Sequence, residues 1–255
     1  MRIKYLIIIL LLFTLHAADV EYRLTPNENK KIKQAKSLYR NGLINEAQNI
    51  YNELFIKSPY LKEVYLPLKE ILRKNNDWAE LEKISKIYLK NSNNSIQSKI
   101  DVLDAFIWLD NNDWMKLSDD IINRKSSRDR HIKLTLNILL NNKKYDFVNP
   151  LIEQLRKNKK PDYYSYEMAM HYLINILTEK SINEFLLHLE YNPNKYTMIK
   201  NRILSYPEIT NNQIKPILLK HDSYLAKLIL SDIEFKQMNL SESYSLLKNY
   251  SQDEN

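Results

Sequence analysis

The chain has 255 residues, 44% of them hydrophobic and 27% charged, with a formal charge of +7. That is the balance of a folded, soluble chain rather than a disordered one. One glycine excludes phosphate-cradling loops, dinucleotide fingerprints and nucleophile elbows, and the lack of cysteine excludes disulfides, thiolate metal sites and thiol catalysis.

Met1–Lys4 is a short basic stretch, and Tyr5–Leu15 is an almost unbroken apolar run ending near Ala17 and Ala18. The pattern is that of a secretory signal peptide, residues 1–17, with cleavage after Ala17 or Ala18. The run is short for a bilayer span of about 20 residues, and retention as an anchor is the alternative. Cleavage leaves no integral span and sends the chain to the periplasm or outside the cell. Loss of Arg2 and Lys4 lowers the charge from +7 to +5. The remaining excess is diffuse, which suits a solvated surface better than a nucleic-acid footprint.

Thr25-Pro26-Asn27-Glu28 predicts a helix start, with Thr25 and Glu28 as a capping box and Pro26 at the first helical position. Helix one runs to about Tyr39 on the spacing of Ile32, Ala35 and Leu38. Gly42 marks a turn. A second helix carries Ile44, Ala47, Ile50, Tyr51 and Leu54 and stops near Pro59. The design of Asn41–Tyr51 returns at Asn75–Leu81 and Asn111–Leu117, and Ile44, Trp78 and Trp114 stand 34 and 36 residues apart. A period of that length marks a helical-repeat architecture, in which each unit buries its apolar face on its neighbours.

Leu61–Arg73 pairs with Trp78–Leu89, boxed by Asp77 and Glu80, and Gln97–Leu109 pairs with Trp114–Asn123, capped by Asp113. A weaker pair follows around Ile132, Leu136, Leu139 and Val148, with Pro150 expected in the first turn of its second helix. Tyr163–Leu177 pairs with Ile182–Leu189, boxed by Ser181 and Glu184. Lys195–Ser205 and Thr210–Lys220 form a divergent pair with Pro216 near a helix start. Asp222–Phe235 with Leu240–Tyr250 closes the series, boxed by Asn239 and Glu242.

Ala47, Tyr51 and Pro59, with Gly42 in the preceding turn, resemble the second helix of the tetratricopeptide repeat family. The first helix departs from that pattern at Lys31 and Gln34. The resemblance implies an all-α, right-handed solenoid of about seven antiparallel helix pairs over residues 25–251, clearest at 28–61, 62–95, 97–125 and 222–251. It also implies a concave groove, lined by first helices, that receives a partner's peptide or helix. By alignment the groove would take Lys36, Tyr39, Arg40, Glu70, Arg73, Lys99 and Phe106, beside Ile32, Leu66, Val102 and Leu109. This mixed basic and apolar strip suits a segment with acidic character. Ile32 and Lys36 replace the lysine and asparagine that begin the family's carboxylate clamp, so that specificity is not implied.

No catalytic, cofactor or metal site is expected. His131, His171, His188 and His221 lack any spacing that sets two ligands on one helical face. Asp119 and Asp120 diverge by about 100° on a helix. Trp78 and Trp114, just after inner turns, are expected to fill the core. The expected function is that of an exported scaffold or adaptor, not an enzyme. The rival is a packing subunit of an envelope or secretion machine without an exchangeable ligand, and a helical envelope enzyme is a more distant third. In a eukaryotic secretory lumen Asn93, Asn239 and Asn249 would be glycosylation acceptors.

Overall fold

A computed structural model describes residues 24–125, 127–206 and 208–248, without the side chains of residues 208–212. The expected signal segment, Asn249 and the end of the last expected helix lie outside the described residues. Among those described, the chain is all-helical, with fourteen α-helices and no strand. It divides into two compact units, one ending at His131 and the other beginning at Ile132.

The first unit holds α1 (Pro26–Arg40), α2 (Ile44–Lys57), α3 (Lys62–Lys74), α4 (Trp78–Asn91), α5 (Ile96–Trp108) and α6 (Asp113–Asn123). The division falls inside α7 (Asp129–Asn141). The second unit continues with α8 (Tyr145–Asn158), α9 (Ser165–Ile174), α10 (Thr178–Tyr191) and a 3-10 turn at Pro193–Lys195. It ends with α11 (Tyr196–Leu204), α12 (Glu208–Lys220), α13 (Tyr224–Lys236) and α14 (Leu240–Lys248). Thr25 and Glu28 cap α1 reciprocally, the Thr25 oxygen accepting from the Glu28 amide and the Glu28 carboxylate from the Thr25 amide.

One turn recurs. Gly42, Asn76, Asp110, Lys143, Ile176 and Met238 all have φ between +51° and +81°. The first five are spaced 34, 34, 33 and 33 residues apart. Each sits between two helices, and the next residue's amide donates to a carbonyl five residues back. The six bonds are Leu43 to Leu38, Asp77 to Leu72, Asn111 to Phe106, Lys144 to Leu139, Leu177 to Tyr172 and Asn239 to Glu234, at 2.9–3.0 Å. This is the Schellman closure, which satisfies carbonyls that a helix end would otherwise orphan. The turn between α11 and α12 runs through Pro207, outside the described residues.

Counted from the left-handed residue, the seventh position before it and the fifth after it come together in the hairpin. In α1 and α2 these are Ala35 and Ala47, both fully buried, and their small side chains let the helices approach closely. Serine serves the same purpose later. The Ser181 hydroxyl donates to the Ala169 carbonyl at 2.8 Å, and the Ser243 hydroxyl to the Ser231 carbonyl at 3.0 Å. A buried hydroxyl is tolerated there because the facing backbone satisfies it.

The same count corrects the reading of the tryptophans. Trp78 is the second residue after its turn, opens α4, and is 40% exposed. Trp114 is the fourth after its turn and 6% exposed. In α6 the buried stripe starts one residue earlier than in the other second helices, so Trp114 fills the place of Leu81, Ala47 and Val148. The matched Asn-Asn-Asp-Trp strings are therefore out of structural register, and Trp78 is not a core residue.

Other boundaries also move. Thr178, not the residue after Ser181, opens α10, so Ser181 and Glu184 form no capping box there. Asp113 is the first residue of α6, and its amide donates to the Asn111 side chain. Asp77 accepts from the Glu80 amide, but Glu80 turns its carboxylate to Lys83. The Asn239 side chain reaches back to Glu234 at 2.7 Å. Pro150 is the sixth residue of α8 and Pro216 the ninth of α12, both further in than expected. Pro67 is likewise sixth in α3. The carbonyls that Pro67 and Pro150 leave without a helical donor belong to Glu63 and Asp146, residues exposed to water.

Candidate functional site

Three first helices of unit 1 meet through side chains placed by this turn-based count. The third residue before one turn touches the second residue before the next. Lys74 stands 5.1 Å from the centre of the Tyr39 ring and donates to its hydroxyl. The Arg73 guanidinium lies 4.3 Å from the centre of the Trp108 ring. Further back, Lys69, seventh before its turn, meets Asp104, sixth before the next, at 2.8 Å. Each contact spans 35 residues, so the face is continuous across α1, α3 and α5.

The same one-position offset recurs in unit 2. Lys133 pairs with Glu167 at 2.8 Å and Lys200 with Asp232 at 2.9 Å. Asp232 and Asp104 both stand sixth before their turns.

Lys69 is the buried anchor of the face. Its ammonium also donates to the Asp101 carbonyl at 3.0 Å and lies near the rings of Tyr65 and Trp108. Beneath it Tyr65 and Tyr88 stack at 4.1 Å and 2°. Their hydroxyls meet Ser85 and Asp101, and burial pushes both phenols well above their ordinary range. On the solvent side Arg73 also pairs with Glu70 at 3.1 Å. Lys36 and Arg40 are exposed and make no ion pair among the described residues. The two carboxylates of this face, Glu70 and Asp104, are thus engaged, while the cations near Tyr39 remain open to a ligand.

Of the residues expected to line a groove, Lys36, Tyr39, Arg40, Glu70 and Arg73 lie on this first-helix face. Lys99 and Phe106 do not. Phe106 is 2% exposed because it is fourth before its turn, in the stripe of Leu72 and Leu139 that faces its own hairpin. Lys99 pairs with Asp120. Both line a separate cleft of about 730 Å³ formed with Leu89, Leu117 and Arg124. Asp119 bonds Asn123 instead, so the neighbouring carboxylates act apart.

Unit 2 brings together a serine, a histidine and an aspartate. The Ser165 hydroxyl lies 3.2 Å and the Asp162 carboxylate 3.5 Å from one atom, Nδ1 of His188. A proton relay needs the two partners on opposite ring nitrogens. Here Ser165 is buried and donates to the Asp162 carbonyl at 2.8 Å, so the cluster ties the start of α9 to α10. Burial would raise Asp162, but hydrogen bonds from Asn192 and Lys160 hold its carboxyl below the usual range. Nearby, Arg156 bridges Glu153 and the buried Glu184, whose pKa burial raises. Among the described residues no group of three or more His, Asp or Glu could hold a metal ion. None of the described helices is long and apolar enough to cross a membrane.

Sequence reasoning missed Lys69, Lys74, Asp104 and Trp108. The available signal was the 35-residue spacing of Tyr39 with Lys74 and of Arg73 with Trp108, visible once Gly42 and Asn76 are aligned rather than the tryptophans. No protein-family model matches the chain, and no curated protein matches it in sequence.

Proposed function

We propose that the chain is an exported, tetratricopeptide-like α-solenoid that acts as an adaptor, with the first-helix face of unit 1 capturing an acidic segment of a partner protein. The observation that carries this reading is the pair of cation–aromatic contacts, Tyr39 with Lys74 and Arg73 with Trp108, flanked by exposed Lys36 and Arg40. Aromatic rings and arginines are the groups that dominate binding energy at interfaces. Here each is held by a neighbouring helix, so little side-chain entropy is lost on binding. The recurrent left-handed turn supports seven pairs, and the basic–apolar–small pattern of residues 1–18 supports export. The reading assigns no catalysis.

The test is titration of glutamate-rich, neutral and lysine-rich peptides, followed by calorimetry. Acidic peptides should bind, more weakly as salt rises, and Lys36→Glu with Arg40→Glu should weaken them about tenfold or more without changing helicity. Binding of no peptide class, or equal binding by the double variant, would favour the packing-subunit reading.

A further inference from the structure

The left-handed turn position favours glycine or asparagine, because a Cβ there crowds the following carbonyl. Unit 1 follows that rule with Gly42, Asn76 and Asp110. Unit 2 breaks it twice in the least expected way. Ile176, a β-branched residue, takes φ +59° while 83% exposed, and Met238 takes φ +62° while 77% exposed. The neighbours repeat the anomaly, since Ile174 beside the first tip and Phe235 and Leu240 beside the second are also exposed. Neither backbone strain nor burial rewards these choices within the fold. Leu177 differs, because the residue after a Schellman turn commonly packs back on its helix.

Both clusters are convex tips of helix hairpins and not walls of a groove. A protein partner would need a matching hollow for each, whereas a bilayer interface accepts a protruding apolar side chain of any outline. Lysines stand close in sequence to both tips. Lys180 follows the first, Lys236 lies within the second, and the preceding turn carries Lys143. Cations at that place favour anionic headgroups. We propose that the hairpin tips of unit 2, led by Ile174, Ile176 and Met238, insert into the interface of an anionic lipid surface and seat the protein on it peripherally.

The absence of cysteine makes single-site labelling direct. An environment-sensitive fluorophore is attached to the full chain at Met238→Cys or, as the control, at Asn76→Cys in the equivalent turn of unit 1. With phosphatidylglycerol vesicles the label at position 238 should shift to the blue and be quenched by bromine on the lipid chains, while the label at 76 should not respond. Adding Ile174→Ser and Ile176→Asn should reduce the response at 238 about tenfold, since burial of even one such side chain is worth that much. This readout is local to the tip, so membrane binding by another part of the chain does not mimic it. No response at 238, an equal response at 76, or insensitivity to the isoleucine changes would overturn the proposal.

Discussion

The Lys69 ammonium and the Asp104 carboxylate lie 2.8 Å apart across successive first helices, with Lys69 almost wholly removed from water. Breaking such a pair on one side leaves the other charge stranded. Lys69→Ala should therefore destabilise the protein by about 3–5 kcal/mol. Replacing both partners with Met and Leu of similar volume should recover most of the loss. Urea melts of the two single variants and the double variant measure the coupling. A double variant no more stable than Lys69→Ala would show that packing, not charge, decides the position.

The tryptophans should separate cleanly. Trp114→Ala removes a buried ring and should cost about 3–5 kcal/mol. Trp78→Ala removes a side chain that is 40% exposed at the mouth of a helix, and should cost less than about 1 kcal/mol. Equal losses in denaturant melts would return Trp78 to the core.

Left-handed turn positions offer the opposite sign. Ile176→Asn should stabilise the fold by about 0.5–1 kcal/mol, because a β-branched residue is strained there. Gly42→Ala should destabilise it by about 1 kcal/mol, although an added Cβ at Gly42 meets nothing within 4 Å. The loss would come from φ alone. Thermal melts of both variants suffice, and a stabilised Gly42→Ala would mean that the turn relaxes.

Burial holds His171 below its ordinary value of 6.5. It does the same to His188, where it outweighs the opposing Asp162 charge. Below pH 6.5 the unfolded chain then binds more protons than the folded one. Stability that is present above that pH is lost as the pH falls through the folded values. Glu184, raised by burial, works in the other direction. Stability at pH 5.5 and 7.5 should thus be compared for wild type and His171→Gln, His188→Gln. The wild type should lose more on acidification than the variant. NMR titration should place both imidazoles below 6.5.

Helix starts and stops were largely legible, because capping residues and apolar spacing act locally. Thr25 and Glu28 close their box as the sequence predicts, and the break at Gly42 is where a left-handed residue is needed. The later turns were harder to read. Lys143, Ile176 and Met238 carry no local preference for that conformation, which the packing of two helices imposes on them. The site was only half legible for a similar reason. Helical periodicity puts Tyr39 and Arg73 on one face, but it cannot say that Lys74 and Trp108 will lie beneath them. That one-residue offset belongs to the stacking of helices and is written in no single helix. Phe106 shows the limit most sharply, since a shift of one position along the helix from Ile107 or Ala105 changes which neighbour an aromatic ring faces.

All three tryptophans, Trp78, Trp108 and Trp114, fall before the division at His131, and the chain has no others. Intrinsic fluorescence is therefore a private reporter of the first unit, while circular dichroism reads the helices of both. Trp108, stacked under Arg73, makes the emission sensitive to the proposed binding face as well as to unfolding. If the fluorescence and dichroism transitions coincide in denaturant, the two units melt as one cooperative body. If they part, the unit that carries the adaptor face can be lost or kept independently of the unit that carries the apolar tips.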